Sequence, residues 1–193
     1  MSLDQQLLYL INNRGSSPVL DFLMPRISYP EHYLAVMIPV ALGALGLIAW
    51  LLSRDGARGR LVVLALVVGV GGADLSAAKL IKPTVGRLRP CRPEAALEGV
   101  IVRDSCRGRN SFPSNHAANA AAAAVILGWR FRRRSWIGGG MAAVIGYSRV
   151  YLGVHYPGDV VGGWILGSGL GVLVAWGVPH GWYRLQSGRG GRD

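Results

Sequence analysis

The sequence predicts an all-α integral membrane helical bundle of about five transmembrane helices, preceded by short interfacial helices at the N-terminus. Three observations carry that expectation. The 193-residue chain is 51% hydrophobic and only 16% charged, whereas a soluble domain has roughly a quarter of its residues charged. Residues 33–53 and 160–183 contain no Asp, Glu, Lys or Arg, and each window is long enough, as a helix, to cross about 30 Å of hydrocarbon. The arginines gather between the apolar windows rather than inside them, as they do in loops at a membrane surface.

Taken in order, residues 5–11 read as a short interfacial helix, Asn12-Asn13-Arg14-Gly15 as its break, and residues 19–27 as a second interfacial helix. A sixth span made from this region is the alternative. No cleavable signal peptide is expected, because Asp4 precedes the first basic residue, Arg14, and no small-residue cleavage site follows an apolar core. Residues 33–53 supply the first span. Residues 61–82 supply the second, apolar except for Asp74 and Lys79. Residues 117–129 and 135–148 are shorter uncharged cores that need their polar neighbours to complete the third and fourth spans, and residues 160–183 supply the fifth. Gly and Ala recur in all of them, which suits helices that must approach closely where lipid removes any hydrophobic force between them. The chain thus divides into an interfacial segment, 1–29, a membrane core, 30–183, and a basic tail, 184–193.

A net charge of +11 raises nucleic acid as a partner, but a nucleic-acid binder places its basic stripe on a soluble fold. Here Arg54, Arg58 and Arg60 follow the first span, Arg130, Arg132, Arg133 and Arg134 the third, and Arg184, Arg189 and Arg192 the last. In a five-span chain these groups share one side, which the positive-inside rule makes cytoplasmic. Lys82, Arg87, Arg89, Arg92, Arg103, Arg107 and Arg109 then lie on the opposite side, against that rule. Anion binding is the expected reason. No nucleic-acid partner is expected, and membrane lipids are.

Three polar clusters sit at the outer ends of the spans. Lys82 and Arg89-Pro90 flank a turn marked by Pro83 and Gly86; an arginine fork matches two phosphate oxygens, and a lysine supplies a point charge. Taken singly, such residues more often only meet solvent. Pro113-Ser114-Asn115-His116 reads as a helix start, with Pro113 in the first turn and the Ser114 and Asn115 backbone N–H groups open to an anion. Taken alone, it also fits a simple cap with an incidental histidine. Ser148-Arg149 is followed by His155, and Tyr156-Pro157-Gly158 places Asp159 in the first turn of the last helix. Asp159 would fix the tautomer of His155 and leave its other nitrogen to attack, while Arg149 adds positive charge. Cys91 and Cys106 lie in the loop between the first two clusters. A disulfide there fits an oxidising compartment and would stabilise by roughly 3 kcal/mol on the chain-entropy estimate; two free thiols are the alternative. No metal site is expected from the spacing of these residues.

Together the clusters resemble the signature of the type 2 phosphatidic acid phosphatase superfamily of membrane lipid phosphatases: Lys-x6-Arg-Pro, then Pro-Ser-Gly-His, then Ser-Arg-x5-His-x3-Asp. The chain matches it at Lys82, Arg89, Pro90, Pro113, Ser114, His116, Ser148, Arg149, His155 and Asp159, within about residues 30–183. It departs at Asn115, where the family has glycine; asparagine keeps the backbone N–H and tolerates the left-handed region well. The resemblance implies hydrolysis with no cofactor and no metal. His155 would act as nucleophile oriented by Asp159, His116 as acid and then base, and Lys82, Arg89, Ser114, Asn115 and Arg149 would hold the phosphoryl oxygens.

The implied partner is a lipid phosphate, with undecaprenyl diphosphate the first choice. Phosphatidylglycerophosphate, phosphatidate and the 1-phosphate of lipid A are the alternatives. The implied setting is a bacterial-type plasma membrane with the site on the periplasmic or extracellular side, and the oligomeric state stays open. A lipid-phosphate binding or transport protein would need the cations but neither histidine. A vanadate-dependent peroxidase shares the pattern but is soluble.

Overall fold

The computed structural model describes residues 1–54 and 56–187 and, for residues 179–187, the backbone alone. Among the described residues all regular structure is helical, apart from an isolated antiparallel bridge between Leu88 and Asn110.

Helix α1 spans Leu3–Tyr9. Ser2 caps it reciprocally with Gln5: the Gln5 N–H donates to Ser2 Oγ at 3.3 Å, and the Ser2 N–H donates to Gln5 Oε1 at 2.8 Å. The chain then continues as a wider, π-type turn over Leu10–Arg14 and leaves the helix only at Gly15. This moves the expected break, Asn12-Asn13-Arg14-Gly15, to its last residue. The Asn12 side chain is buried, donates to the carbonyls of Ile101 and Tyr151 at 2.8 and 2.7 Å, and accepts from the Ile101 N–H at 2.8 Å. With its amide satisfied by distant backbone, it does not compete with its own helix, which is how asparagine ordinarily breaks one. Helix α2, Pro18–Ser28, starts with proline at its first position behind a Ser17 cap. Leu8 and Met24 turn inward, whereas Leu3, Leu7, Leu10, Val19 and Phe22 are exposed. Both helices therefore present an apolar outer face, as interfacial helices do.

Helix α3, Leu34–Arg54, packs against the next helix and buries very little of itself. Helix α4, Gly56–Leu75, runs on through a π-type turn, Ser76–Ile81, into α5, Lys82–Val85. The continuous element is Gly56–Val85, so Arg58 and Arg60 are helical rather than in a loop. Arginine is a good helix former and can extend its charge to water along its own stem. Pro83 lies within α5, and the turn falls at Gly86 alone. Helices α6, Asn115–Arg130, α7, Ser135–Tyr151, and α8, Pro157–Ser187, complete an all-α integral membrane bundle of five long helices. Leu34–Arg54, Gly56–Val85 and Pro157–Val178 are each long and apolar enough to cross a membrane unaided. Helices α6 and α7 give their ends to the polar clusters. Residues 188–193 of the expected basic tail lie outside the described residues.

The closest packing in the bundle is α6 on α8, and it fixes the site. A Cβ at Gly163 would meet the Ser114 carbonyl oxygen at 2.6 Å, and one at Gly167 would overlap that of Ala118. Small residues four apart on α8 let its backbone rest on the first turns of α6, where Ala117, Ala118, Ala121 and Ala122 are buried. The start of α6 is thereby held against the start of α8, with the Ser114 N–H donating to the Asp159 carbonyl at 2.9 Å.

Candidate active site

Folding brings the three clusters together at one end of the bundle. The long loop between α5 and α6 is pinned by the Leu88–Asn110 bridge, by the Ser111 N–H donating to the Arg87 carbonyl at 2.7 Å, and by a Cys91–Cys106 disulfide with Cα atoms 5.9 Å apart. Extended backbone puts residues two apart on one face. Around Leu88 this sends Arg87 and Arg89 the same way, toward the loop that joins α7 to α8 and carries His155.

His155 and Asp159 are both almost fully buried. Arg89 Nη1 donates to the Val154 carbonyl at 3.0 Å and lies 2.9 Å from His155 Nε2. A guanidinium has no acceptor, so His155 Nε2 receives that hydrogen bond and presents a lone pair. The ring proton is then on Nδ1, facing Asp159 Oδ2 at 3.4 Å, a long contact beside the usual N–H···O range of about 2.7–3.2 Å. This tautomer follows from the hydrogen-bond network. Asp159 Oδ2 also accepts from the Tyr156 N–H at 2.8 Å, and Oδ1 from Arg87 Nη1 at 3.0 Å. Burial, then Arg89, Arg149, Lys82 and His116, hold His155 well below its ordinary 6.5, so the neutral imidazole prevails at neutral pH. Burial, followed by Arg149, lowers Arg89 to about 10, which leaves it charged there.

The remaining residues ring this pair. Lys82 Nζ donates to the carbonyls of Ser111 and Pro113 at 3.1 and 2.6 Å. Arg149, buried at the end of α7, donates through Nη1 to Ser28 Oγ and through Nη2 to Tyr29 Oη at 2.6 Å. The Nε atoms of Arg89 and Arg149 are buried without a hydrogen-bond partner, two N–H donors left for an incoming acceptor. The His116 and Tyr29 rings pack in a T-shaped arrangement, with centroids 5.7 Å apart.

Several expectations change. Ser114 is the cap of α6 rather than part of its first turn, with Pro113 before it, and its N–H is spent on Asp159. Only Asn115 and His116 begin the helix with N–H groups that lack intrahelical acceptors. The Asn115 side chain turns away to Asp74 Oδ1 at 2.8 Å, which Asn119 also reaches at 3.0 Å. Ser148 Oγ bonds back to the Ile145 carbonyl at 2.7 Å. The outer basic set is largely committed within the protein. Arg87 pairs with Asp159 and Asp4, Arg103 with Asp21, Arg92 with the Gly108 carbonyl, and Arg107 with the His32 ring. Anion binding therefore does not account for that set as a whole. Arg87, expected to bind an anion, instead pairs with Asp4 and Asp159, and Asp4, Ser28 and Tyr29 were missed as site neighbours. These last three all come from the N-terminal segment, and no local pattern in the sequence marks them.

Among the described residues, no group of three or more His, Cys, Asp and Glu side chains stands together as a metal site. The arrangement offers a buried neutral imidazole whose Nε2 lone pair accepts from Arg89, a second histidine and a wall of cations, which suits transfer of an anionic group.

Residues 58–183 match the PAP2 superfamily model, and the chain belongs to that superfamily. A lipid A 4'-phosphatase of Bacteroides thetaiotaomicron is 38% identical over 123 residues, 61% of this chain and 54% of the relative. An undecaprenyl-diphosphatase of Sulfolobus acidocaldarius is 47% identical over 64 residues, 33% of this chain and 31% of the relative. The chain thus spans about half or less of these curated relatives. Among solved structures, LpxE of Aquifex aeolicus superposes with a TM-score of 0.66 at 27% identity, covering 90% of this chain and 95% of that one. A transmembrane phosphatidylglycerolphosphate phosphatase of Bacillus subtilis gives 0.61 at 26% identity, covering 90% and 85%.

Proposed function

We propose that the protein is a metal-independent lipid phosphate phosphatase working through a phosphohistidine. One observation carries the reading: Arg89 holds His155 Nε2 as a buried hydrogen-bond acceptor at 2.9 Å, the form a nucleophile needs. Arg89 moves its Nη1 donor from His155 Nε2 to a phosphoryl oxygen, the freed Nε2 lone pair attacks phosphorus, and the bond to the leaving oxygen breaks. His116 delivers a proton to that oxygen, and Asp159 stabilises the positive charge on His155 through Nδ1. Water, deprotonated by His116, then displaces phosphate from His155 and regenerates the free imidazole. Lys82, Arg89, Arg149 and the first N–H groups of α6 at Asn115 and His116 neutralise the phosphoryl oxygens, with Ser114 fixing the start of that helix. A lipid-phosphate carrier would have no use for an imidazole held in this tautomer.

The substrate we favour is a polyprenyl diphosphate such as undecaprenyl diphosphate, supported by the high local identity to the Sulfolobus acidocaldarius relative. Lipid A phosphate is the second reading, favoured by the longer match to the Bacteroides thetaiotaomicron protein. A phosphate-release panel of undecaprenyl diphosphate, lipid A, phosphatidylglycerophosphate and phosphatidate, in detergent with EDTA, tests both. We expect the diphosphate to be turned over fastest and EDTA to leave the rate unchanged. Cationic side chains hold here the place that metal ions occupy in two-metal phosphatases. Loss of activity in EDTA, restored by Mg²⁺, would contradict the mechanism.

We also propose a bacterial-type plasma membrane location with the site on the outer face. The arginines at the opposite end of the bundle support that orientation. A membrane-impermeant maleimide applied to intact cells should label Cys91 and Cys106 only after reduction. Labelling that requires permeabilised membranes would reverse the topology, and labelling without reductant would exclude the disulfide.

A further inference from the structure

Helix α1 lies far from the motif residues in sequence, yet Asp4 sits against the start of α8. Its Oδ1 accepts from the Gly158 N–H at 2.7 Å, and its Oδ2 from Arg87 Nη2 at 2.5 Å. Arg87 uses its other terminal nitrogen on Asp159 Oδ1 at 3.0 Å, with its guanidinium carbon 3.9 Å from the centre of the Tyr156 ring. The Asp159 side chain is 0% exposed, against 32% for Arg87 and 24% for Asp4. A buried carboxylate needs its partners, and removing the cation from such a pair costs far more than an exposed pair is worth. Asp4 also serves α8 as a cap from another helix, placing a carboxylate on the Gly158 N–H in the turn that carries Asp159. The fit leaves no room at Gly158, where a Cβ would stand 2.9 Å from Asp4 Oδ2.

We infer that Asp4 and Arg87 are positioning residues for the reaction: through them the interfacial helix α1 clamps Asp159, and through Asp159 the nucleophile His155. The inference rests on the phosphohistidine reading. Neither residue meets the phosphoryl group. Arg87 holds one oxygen of Asp159 so that the other faces His155 Nδ1, and Asp4 holds Arg87 and the first turn of α8 in register. The outer face of α1, with Leu3 and Leu7 exposed, ties this clamp to the membrane surface.

The test compares full-length wild-type protein with Asp4→Asn, Asp4→Glu and Arg87→Gln in detergent, on undecaprenyl diphosphate and on water-soluble p-nitrophenyl phosphate. Inorganic phosphate as a competitive inhibitor reports the integrity of the pocket. Asp4→Asn and Arg87→Gln should lower kcat by about 10- to 100-fold on both substrates, the scale of losing one hydrogen bond to a charged group. KM and the phosphate inhibition constant should hold within about threefold, which is under 0.7 kcal/mol. Asp4→Glu should recover most of kcat. Unchanged kcat in both Asp4→Asn and Arg87→Gln would overturn the inference. So would a loss confined to KM on the lipid, which would make α1 a docking element only, or phosphate inhibition weakened in step with kcat, which would make the clamp a general support of the pocket. Absence of wild-type turnover on both substrates would overturn the phosphatase reading itself.

Discussion

Replacing His155 by alanine is expected to abolish turnover while the protein still folds and inserts. No other imidazole is placed to take over. His116 packs against Tyr29, and Arg89 fixes the acceptor nitrogen of His155 alone. Losing the group that forms the covalent intermediate should cost at least about a thousandfold in kcat. The purified variant should still bind inorganic phosphate, because Lys82, Arg89 and Arg149 remain. Retention of more than about a tenth of the wild-type rate, worth only about 1.4 kcal/mol, would contradict the assignment. The wild-type pH profile adds a second check. Burial and four neighbouring basic groups hold His155 well below 6.5, so the ring is already unprotonated at neutral pH. Between about pH 7 and 8 the rate should not rise through any deprotonation of His155; any limb seen there must belong to another group.

Replacing His116 by alanine is expected to have the next largest effect, about 10²- to 10⁴-fold on a lipid substrate, the range for losing general acid–base catalysis. The loss should shrink on p-nitrophenyl phosphate, whose leaving group departs without a proton. Hydrolysis of the phosphoenzyme should then limit the variant, since His116 also activates water. A burst of p-nitrophenol followed by a slow steady state is the expected trace. An equal loss on both substrates with no burst would mean that His116 only shapes the pocket.

Much of this architecture was legible because each motif carries its own local geometry. Pro157 at the first position of α8 sets Asp159 in the first turn and leaves His155 just outside it, as the sequence alone predicts. Gly86, between Lys82 and Arg89, likewise marks where the chain turns out of α5. The failures share a cause. The run Asn12-Asn13-Arg14-Gly15 reads as a helix break, but the helix persists to Arg14 because the Asn12 amide is satisfied by Ile101 and Tyr151, residues that the fold alone brings near. Ser114 looked like a free N–H donor until α8 supplied the Asp159 carbonyl. The outer arginines looked like an anion-binding set because their partners, Asp4 and Asp21, lie in a segment that hydropathy describes only as interfacial. Ser28 and Tyr29 hold Arg149 from the same segment. What sequence spacing cannot express is which distant carboxylate or carbonyl meets a given cation, and here that pairing decides which arginines still have a donor to offer.

The most direct test of the central claim is to catch the covalent intermediate. Wild-type protein mixed with a lipid diphosphate, quenched in alkaline denaturant within the first turnovers and digested, should yield a peptide containing His155 with a phosphoryl group on the imidazole. The adduct should be stable in base, labile in acid, more abundant in His116→Ala and missing from His155→Ala. A phosphoryl group on another residue, or rapid turnover with none on His155 even in His116→Ala, would contradict the account.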